Sequence, residues 1–165
     1  MARHKKQVKK LDHDTAVYLA GLIDGEGCLR IGKNKKASSR GDYCYTPEVK
    51  LVLVHEPTIK YLADKLDWPY GHTKGNPEKN HQDTYIIRIG NFEGIISFIE
   101  QILPYLITKK EAAQTVLAFA ISRRDNWEVS PYNKVPYTDY EISLFDKIKQ
   151  LNRVGRLVET GGYNY

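Results

Sequence analysis

The chain has 165 residues, a net charge of +5 and 41% hydrophobic residues, a composition typical of a globular protein with its own core. It has no apolar run long enough to span a membrane, and its first residues lack the apolar segment of a secretion signal. Cys28 and Cys44 have neither metal-binding nor disulfide spacing, so we expect small, buried or half-buried side chains in a reducing compartment. These features predict an intracellular protein, in a prokaryotic cytoplasm or an organelle, without a membrane partner.

Positive charge is concentrated in the first third of the chain. Residues 1–10 contain five Lys or Arg and no acid, and residues 28–60 contain seven Lys or Arg against three acids. We therefore separate a basic N-terminal arm, residues 1–11, from a single domain, residues 12–165. A basic tail alone is often only a solubilising arm, but a basic tail followed by basic strands favours a polyanion such as nucleic acid.

The first helix and the first strand have clear boundaries in the sequence. Asp12 or Asp14 is the expected N-cap of the helix, which ends at Gly25 or Gly27. Residues 28–33 then alternate between apolar and polar types, which predicts a half-buried strand.

A second strand and a second hairpin follow. Residues 43–54 alternate as a strand, and Pro57 is well placed in the first turn of a helix that ends near residue 66. Residues 70–74 and 84–90 are predicted to form a hairpin around a turn-rich connection. The side chains predicted to face the core from the first two strands are Leu29, Ile31, Val49, Leu51 and Leu53.

The remaining chain is predicted to be helical. Asn91 is the expected cap of a helix that ends before Pro104. Residues 108–111 and 138–141 have the pattern of capping boxes, which would open helices that reach about residues 122 and 152. The complete order predicts an α+β fold with antiparallel hairpins.

Two carboxylates stand in the last turn of the first helix. The helix macrodipole leaves partial negative charge at that end, so Asp24 and Glu26 are unfavourable there by about 0.3–1 kcal/mol each. A bound divalent cation would reverse the local electrostatics. The pattern therefore indicates a metal site at the end of this helix.

One face of the same helix carries small residues. At 100° per residue, the residues Val17, Ala20, Gly21 and Asp24 fall together, and small side chains let another backbone approach closely. Glycine within a helix costs about 1 kcal/mol, so Gly21 indicates such a contact. The contact is either with another element of the same domain or with a partner.

Residues 19–27, LAGLIDGEG, closely resemble the motif of the LAGLIDADG homing endonucleases. The element order over residues 12–122 resembles the family's αββαββα core, and residues 123–165 resemble the C-terminal helical extension of single-motif members. Because single-motif members work as homodimers, the resemblance implies a homodimer with its first helices packed across a two-fold axis. That symmetry would bring two copies of Glu26 together and predicts a roughly palindromic target in double-stranded DNA.

The resemblance also implies a metal site. Glu26 occupies the acidic metal-binding position, where the family more often has aspartate, and the Gly25 carbonyl would be a further ligand. The expected ion is Mg²⁺, with Mn²⁺ or Ca²⁺ able to substitute for binding, and no small-molecule cofactor is expected. Asp24 would be mainly structural, bonding backbone groups where the paired helices meet.

Two further residues are catalytic candidates by resemblance. Lys109 would stabilise charge near the scissile phosphate or orient the attacking water, with Lys110 as the alternative if the register is shifted by one. His55 aligns with a polar residue that helps to hold the water network of the active site. Without the family, a solvated lysine and a structural histidine are the ordinary interpretations. Ile59 stands where relatives often have an arginine.

The resemblance also implies that the predicted strands form a saddle over the major groove of DNA, as in the family. Side chains of the parity opposite to the core would face the bases, and Glu48 could accept a hydrogen bond from cytosine N4. Lys36 and the neighbouring lysines would contact phosphates. Each of these positions is equally consistent with a solvated strand residue. The predicted DNA-binding side chains are Arg30, Gly32, Asn34, Lys36, Thr46, Glu48, Lys50, His72, Lys74, Thr84 and Arg88.

These observations lead to a functional hypothesis with one rival. The protein would be a Mg²⁺-dependent endonuclease that makes a double-strand break in a long DNA target by phosphodiester hydrolysis, and Met1 favours an intron-encoded gene. The rival is a catalytically inactive nucleic-acid-binding protein of the same fold, an intron maturase or a DNA-binding regulator. A purely structural domain explains neither the acids at the helix end nor the basic strands.

Overall fold

The computed structural model describes residues 6–35, 43–129 and 135–160, with side chains over 6–35, 43–126 and 135–153. Within these ranges the fold is α+β, and its first seven elements have the order αββαββα, as predicted. None of the described helices is both long and apolar enough to cross a membrane. The elements are α1 (His13–Glu26), β1 (Gly27–Lys35), β2 (Tyr43–Leu53), α2 (Glu56–Leu66), β3 (Tyr70–Thr73), β4 (Thr84–Ile89), α3 (Phe92–Ile102), α4 (Lys110–Val129) and α5 (Asp139–Thr160).

The four strands form one antiparallel sheet in the order β1-β2-β4-β3. Cross-strand partners share a face of a sheet, and the core residues predicted on β1 and β2 are buried together on one face. We call this face the helix side and the opposite face the outer face. The buried strand residues are Leu29, Ile31, Val49, Leu51, Ile87 and Ile89, while Leu53 is only partly buried.

All five described helices contribute large, fully buried side chains to the core, and the first four contribute most of them. These are Leu19 and Ile23 of α1, Ile59, Leu62 and Leu66 of α2, Ile95, Ile99 and Ile102 of α3, and Phe119 of α4. Ile148 of α5 is buried in the same core. The helices therefore pack on the helix side and leave the outer face of the sheet to solvent.

Two predicted helix starts are confirmed by their caps. The Asp12 side chain accepts from the Thr15 backbone N–H at 2.9 Å, and α1 ends at the C-cap Gly27. At α5 the capping box is reciprocal, because Glu141 N donates to Thr138 Oγ1 at 3.1 Å while Thr138 N donates to Glu141 Oε2 at 3.0 Å.

The capping box predicted at residues 108–111 is wrong. Helix α4 begins at Lys110, and the Lys109 carbonyl accepts from Ala113 N at 2.9 Å, so Lys109 occupies the capping position. The physical reason is a long-range contact, since the Lys109 backbone N–H is bonded to Asp24. Asn91 does precede α3, but its side-chain amide donates to the Lys6 carbonyl at 2.7 Å and does not cap the helix.

The described part of the basic arm, residues 6–11, is packed on α3. Val8 N donates to Ser97 Oγ at 3.0 Å, and Leu11 N donates to Gln101 Oε1 at 2.7 Å. The Val8 side chain is buried. These contacts make residues 6–11 part of the domain surface, while the first five residues of the predicted arm lie outside the described residues.

Candidate functional site

The acidic turn lies where α1 passes directly into β1. Gly27 is both the C-cap of α1, with its N–H bonded to the Ile23 carbonyl, and the first residue of β1. Gly27 also pairs with Leu51 of the interior strand β2. This pairing fixes the end of α1 to the sheet. The residues just before Gly27 therefore lie at the end of β1 where the strand begins.

Asp24 is bonded within its own chain. Its carboxylate accepts from Ile107 N at 2.7 Å and from Lys109 N at 2.8 Å. Partial burial acts to raise the pKa of Asp24, but the backbone N–H donors of Ile107, Lys109 and Thr108, together with the Lys109 charge, outweigh it and lower the pKa. The N-terminus of α4 is a favourable place for negative charge, which offsets the unfavourable end of α1. Asp24 is thus bonded to backbone groups of its own chain, and its predicted place where paired helices meet stays a prediction.

Lys109 closes the same joint from the other side. Its Nζ donates to the Ile23 carbonyl at 3.0 Å and to the Gly27 carbonyl at 2.7 Å. These carbonyls terminate α1, where a cation compensates the helix macrodipole. Asp24 and Lys109 therefore form a reciprocal clamp between two segments 85 residues apart. The predicted contact of Lys109 with a phosphate stays a prediction.

Glu26 has no such partner. It is exposed, and among the described residues no hydrogen bond or ion pair engages its carboxylate. Gly25 beside it is also exposed, and a Cβ built there would meet nothing within 4 Å. The Asp24 carboxylate is used by the clamp. Glu26 is therefore the acid at this helix end that has no role in the described contacts of the fold.

The donors at this turn suit a hard cation. In the described ranges no group of three or more His, Cys, Asp or Glu side chains could hold a metal ion. At this turn, the ligands available from one chain are the Glu26 carboxylate and the Gly25 carbonyl. Mg²⁺ is usually held by one or two carboxylates, with water and substrate phosphates completing the shell. The donor set therefore fits Mg²⁺ only as part of a larger site that a substrate or a second chain completes.

His55 lies at the same end of the first hairpin. Strand β2 ends at Leu53, two residues beyond the partner of Gly27, and His55 follows as the N-cap residue of α2. The imidazole is exposed, with Nδ1 2.8 Å from Thr58 Oγ1. Ile59, where relatives often have an arginine, is fully buried in the core, so no cation is presented there.

The exposed face of α1 differs from the predicted one at one position. Ala20 is fully buried in the core of its own chain, so its assignment to the interface face is wrong. Val17 and Tyr18 are 41% and 46% exposed, and a Cβ built on the exposed Gly21 would meet nothing within 4 Å. The sequence favours a core or interface position for Tyr18, and its spacing of three residues from Gly21 places it on that face.

The outer face of the sheet holds most of the predicted DNA-binding residues. Cross-strand pairing places Arg30 beside Glu48 and Lys50 beside Arg88. Glu48 forms ion pairs with Arg30 at 3.2 Å and with Arg88 at 3.5 Å. Their contact with DNA stays a prediction. The predicted residues on this face are Arg30, Gly32, Asn34, Thr46, Glu48, Lys50, Thr84 and Arg88.

Among the described residues, one predicted DNA-binding position, His72, lies on the opposite face. His72 pairs with Tyr85 on the helix-side parity, where its ring stacks on Tyr85 with 4.9 Å between centroids and its Nε2 lies 2.8 Å from Asp83. Its predicted assignment to the DNA-facing side of the sheet is therefore wrong, because residues 70–73 have no apolar alternation from which to read the face. Lys74 follows the last residue of β3, and Lys36 lies outside the described residues.

Comparison with solved structures identifies the fold. The homing endonuclease I-CvuI, crystallised with a DNA target, has a TM-score of 0.61 at 17% identity, over 90% of this chain and 96% of that chain. I-CeuI in complex with DNA has a TM-score of 0.58 at 21% identity, over 85% and 68%. The archaeal intron-encoded homing endonuclease I-Vdi141I, also in complex with DNA, has a TM-score of 0.58 at 15% identity, over 86% and 99%.

Comparison of the sequence identifies the family. A search of curated proteins found no significant match. The sequence profile of the family described as LAGLIDADG endonuclease matches residues 19–121, which is more than half of the chain and begins at the first residue of the LAGLIDGEG segment. The chain therefore belongs to the LAGLIDADG endonuclease family.

Proposed function

We propose that the protein is a homodimeric, intron-encoded homing endonuclease that hydrolyses both strands of a long, roughly palindromic DNA target with a divalent metal ion. The observation that carries the proposal is Glu26, an exposed acid at the end of the helix that bears the family motif, whose carboxylate is bonded to no other described residue. Family membership supports the reaction class. An acid that the fold does not require, at the edge of an exposed basic sheet, supports activity in this member.

The metal site would consist of Glu26 and the Gly25 carbonyl, with Mg²⁺ as the working ion and Mn²⁺ or Ca²⁺ able to support binding. A divalent ion there would supply charge neutralisation at the scissile phosphate and a more acidic water as nucleophile. The solved relative I-CvuI was crystallised with DNA in the presence of Mg and, separately, of Ca, which supports the choice of ions to test.

The chain's own residues would shape and charge this site. Lys109 fixes the last carbonyls of α1 and so holds the backbone that presents Glu26. Its ammonium adds positive charge beside the phosphate position, which would favour developing negative charge. His55, exposed at the same end of the hairpin, would contribute to the surrounding water network.

The second copy would dock on the exposed face of α1. Gly21 lies inside a helix, where glycine costs about 1 kcal/mol relative to alanine, and among the described residues a Cβ built there would meet nothing within 4 Å. Val17 and Tyr18 flank it, and Ile107, beside the end of α1 through its bond to Asp24, is 86% exposed. Apolar side chains around an unneeded glycine favour a close helix contact with another chain, which would place two Glu26 side chains near one two-fold axis.

The outer face of the sheet would bind the major groove. Arg30, Lys50 and Arg88 lie on adjoining strands around the single acid Glu48, so this face has a local positive charge. Such a surface attracts the phosphate backbone and offers donors to base edges.

The test is a Glu26→Gln substitution with Asp14→Asn as the matched control, since Asp14 is on the same helix and its side chain is 98% exposed. A target is first selected from random duplexes in Ca²⁺ and then inserted in a plasmid. Wild type and Asp14→Asn should cleave it in Mg²⁺ and not in chelator. Glu26→Gln should bind with similar affinity but cleave more slowly by on the order of a hundredfold or more.

Two outcomes would contradict the proposal. Normal cleavage by Glu26→Gln would show that another residue supplies the metal ligand. Specific binding by wild type without nicking in either Mg²⁺ or Mn²⁺ would replace the endonuclease with the rival, a nucleic-acid-binding protein that has lost catalysis.

A further inference from the structure

The outer face contains one carboxylate between two guanidinium groups. Glu48 Oε1 is 3.2 Å from Arg30 Nε, and Glu48 Oε2 is 3.5 Å from Arg88 Nε. The Glu48 side chain is only 15% exposed, whereas those of Arg30 and Arg88 are 49% and 59% exposed. The carboxylate therefore lies low on the sheet with an arginine rising on each side of it.

The strand order explains why this residue can hold both arginines. Strands β1 and β4 are not neighbours, because β2 lies between them, so only a side chain of β2 can touch both. Arg30 is directly opposite Glu48, and Arg88 is opposite Lys50, diagonal to Glu48. The positive charge of Lys50 repels the guanidinium of Arg88, its direct cross-strand partner. The negative charge of Glu48 attracts that guanidinium along the diagonal.

The atoms in contact leave the reading ends of both arginines available. Each guanidinium meets the carboxylate through Nε, and elsewhere in the described ranges no group bonds the terminal nitrogens of Arg30 or Arg88. Two parallel terminal N–H donors are what arginine uses to bind O6 and N7 of guanine in the major groove. Each Glu48 oxygen already contacts an arginine, so the predicted hydrogen bond from cytosine N4 would have to share its acceptor with a guanidinium.

We propose that Glu48 is a positioning residue that orients Arg30 and Arg88 as a pair of guanine readers, and that it does not read a base itself. The proposal rests on the proposed DNA-binding function and assigns its base specificity. Each half-site of the target should contain two guanines whose selection depends on Glu48. The carboxylate limits the rotation of both arginines before DNA arrives, so less conformational entropy is lost on binding.

The first test is target selection with the full chain in Ca²⁺, comparing wild type with Glu48→Gln. Glu93→Gln is the matched control, since Glu93 on α3 also pairs with an arginine, Arg124, at 3.6 Å, and the change in net charge is the same. Glu48→Gln should lower the preference for guanine at two positions of the half-site by about tenfold. Glu93→Gln should leave the selected sequence unchanged.

A second substitution shows whether Glu48 acts through the arginines. In an Arg30→Lys background, Glu48→Gln should cause no further loss at the guanine assigned to Arg30, while still reducing the one assigned to Arg88. A loss of cytosine preference in Glu48→Gln with both guanines retained would overturn the proposal and make Glu48 a direct reader. An unchanged selected sequence would overturn it as well.

A measurement without DNA separates this proposal from the proposed function. In ¹⁵N-labelled wild-type protein, the Nε–H signals of Arg30 and Arg88, assigned with the Arg30→Lys and Arg88→Lys variants, should be protected from exchange with water. Glu48→Gln should remove this protection, and Glu93→Gln should retain it. If wild type selected no DNA sequence, the proposed function would fail, while unprotected Nε–H signals in wild type would overturn the positioning role by itself.

Discussion

Two carboxylate–arginine clusters in this molecule have the same chemistry and opposite surroundings. In the first, Glu141 and Arg123 pair at 3.4 Å with side chains 0% and 5% exposed. In the second, Glu48 contacts Arg30 and Arg88 on the outer face of the sheet, and both arginines are about half exposed. We call them the closed cluster and the open cluster.

In the closed cluster, both terminal nitrogens of the guanidinium have acceptors. Arg123 donates to the Pro136 carbonyl at 3.1 Å and to the Val135 carbonyl at 2.5 Å, and its guanidinium lies 4.1 Å from the ring centre of Tyr137. Ser122 and Asn126 donate to the carboxylate of Glu141. These contacts join α4, α5 and the segment before α5, so the charges serve the fold.

The open cluster has donors left over. Its carboxylate is used, but no described residue bonds the terminal nitrogens of its arginines, whose side chains are 49% and 59% exposed. Removing one partner of a buried ion pair strongly destabilises the folded protein, whereas an exposed ion pair contributes little to its stability. An ion pair is present in both clusters and so does not distinguish them. A cluster suited to a ligand differs from a structural one in having guanidinium N–H donors that no protein group uses.

The largest expected effect comes from breaking the closed cluster. Glu141→Gln leaves the Arg123 charge buried without a counter-charge, which should destabilise the protein by about 3–5 kcal/mol. Glu48→Gln, its counterpart in the open cluster, should cost less than about 1 kcal/mol. Urea unfolding measures the loss of unfolding free energy in both variants, provided that the m-value is unchanged. Equal losses in the two variants would show that the closed and open clusters do not differ in their contribution to stability.

The clamp at the end of α1 should give an intermediate effect. Asp24→Asn keeps the shape but weakens the bonds to Ile107 and Lys109, at a cost of about 2 kcal/mol at neutral pH. The pKa of Asp24 is lowered in the folded state, so its contribution is present above the ordinary aspartate pKa and is lost as pH falls through the folded value. The stability difference between wild type and variant should therefore shrink below about pH 4.

Gly21→Ala should separate the stability of one chain from its self-association. Because a Cβ at this position would meet nothing within 4 Å, alanine should stabilise the folded protomer by about 0.5–1 kcal/mol. The same methyl group should weaken a dimer that uses this face, as seen by sedimentation over a range of concentrations. Gln150→Ala, on the exposed side of α5, should leave association unchanged. Unimpaired association of Gly21→Ala would place the interface elsewhere.

Local patterns were sufficient to predict most of the fold. Alternation placed Leu29, Ile31, Val49 and Leu51 on the buried face, because period two is a property of the strand itself. The Asp12 cap and the Thr138–Glu141 box were predicted for the same reason, since each is closed within four residues. Where residues 70–73 have no apolar alternation, the face of His72 was assigned wrongly.

The contacts that define the site were not predictable in this way. The clamp joins Asp24 to Lys109 across 85 residues. Because Asp24 binds the Lys109 backbone N–H, α4 begins one residue later than predicted and Thr108 does not cap it. The open cluster depends on the register of three strands, which no single strand contains. Ala20 was assigned to the wrong side because helical spacing alone does not tell which neighbouring face of α1 the sheet covers.

The smallest expected change in stability belongs to Arg30→Lys, which separates charge from geometry in the open cluster. Lysine keeps the positive charge, so stability should change by less than about 0.5 kcal/mol and the salt dependence of DNA binding should be unchanged. Lysine lacks the planar fork that binds guanine O6 and N7 together, so selectivity should fall at one base position while overall affinity for unrelated DNA is retained. Titrations at several salt concentrations, on the selected target and on a duplex with that guanine replaced, measure the two quantities separately. Equal losses on both duplexes would mean that Arg30 contacts phosphate, and the open cluster would then supply charge without readout.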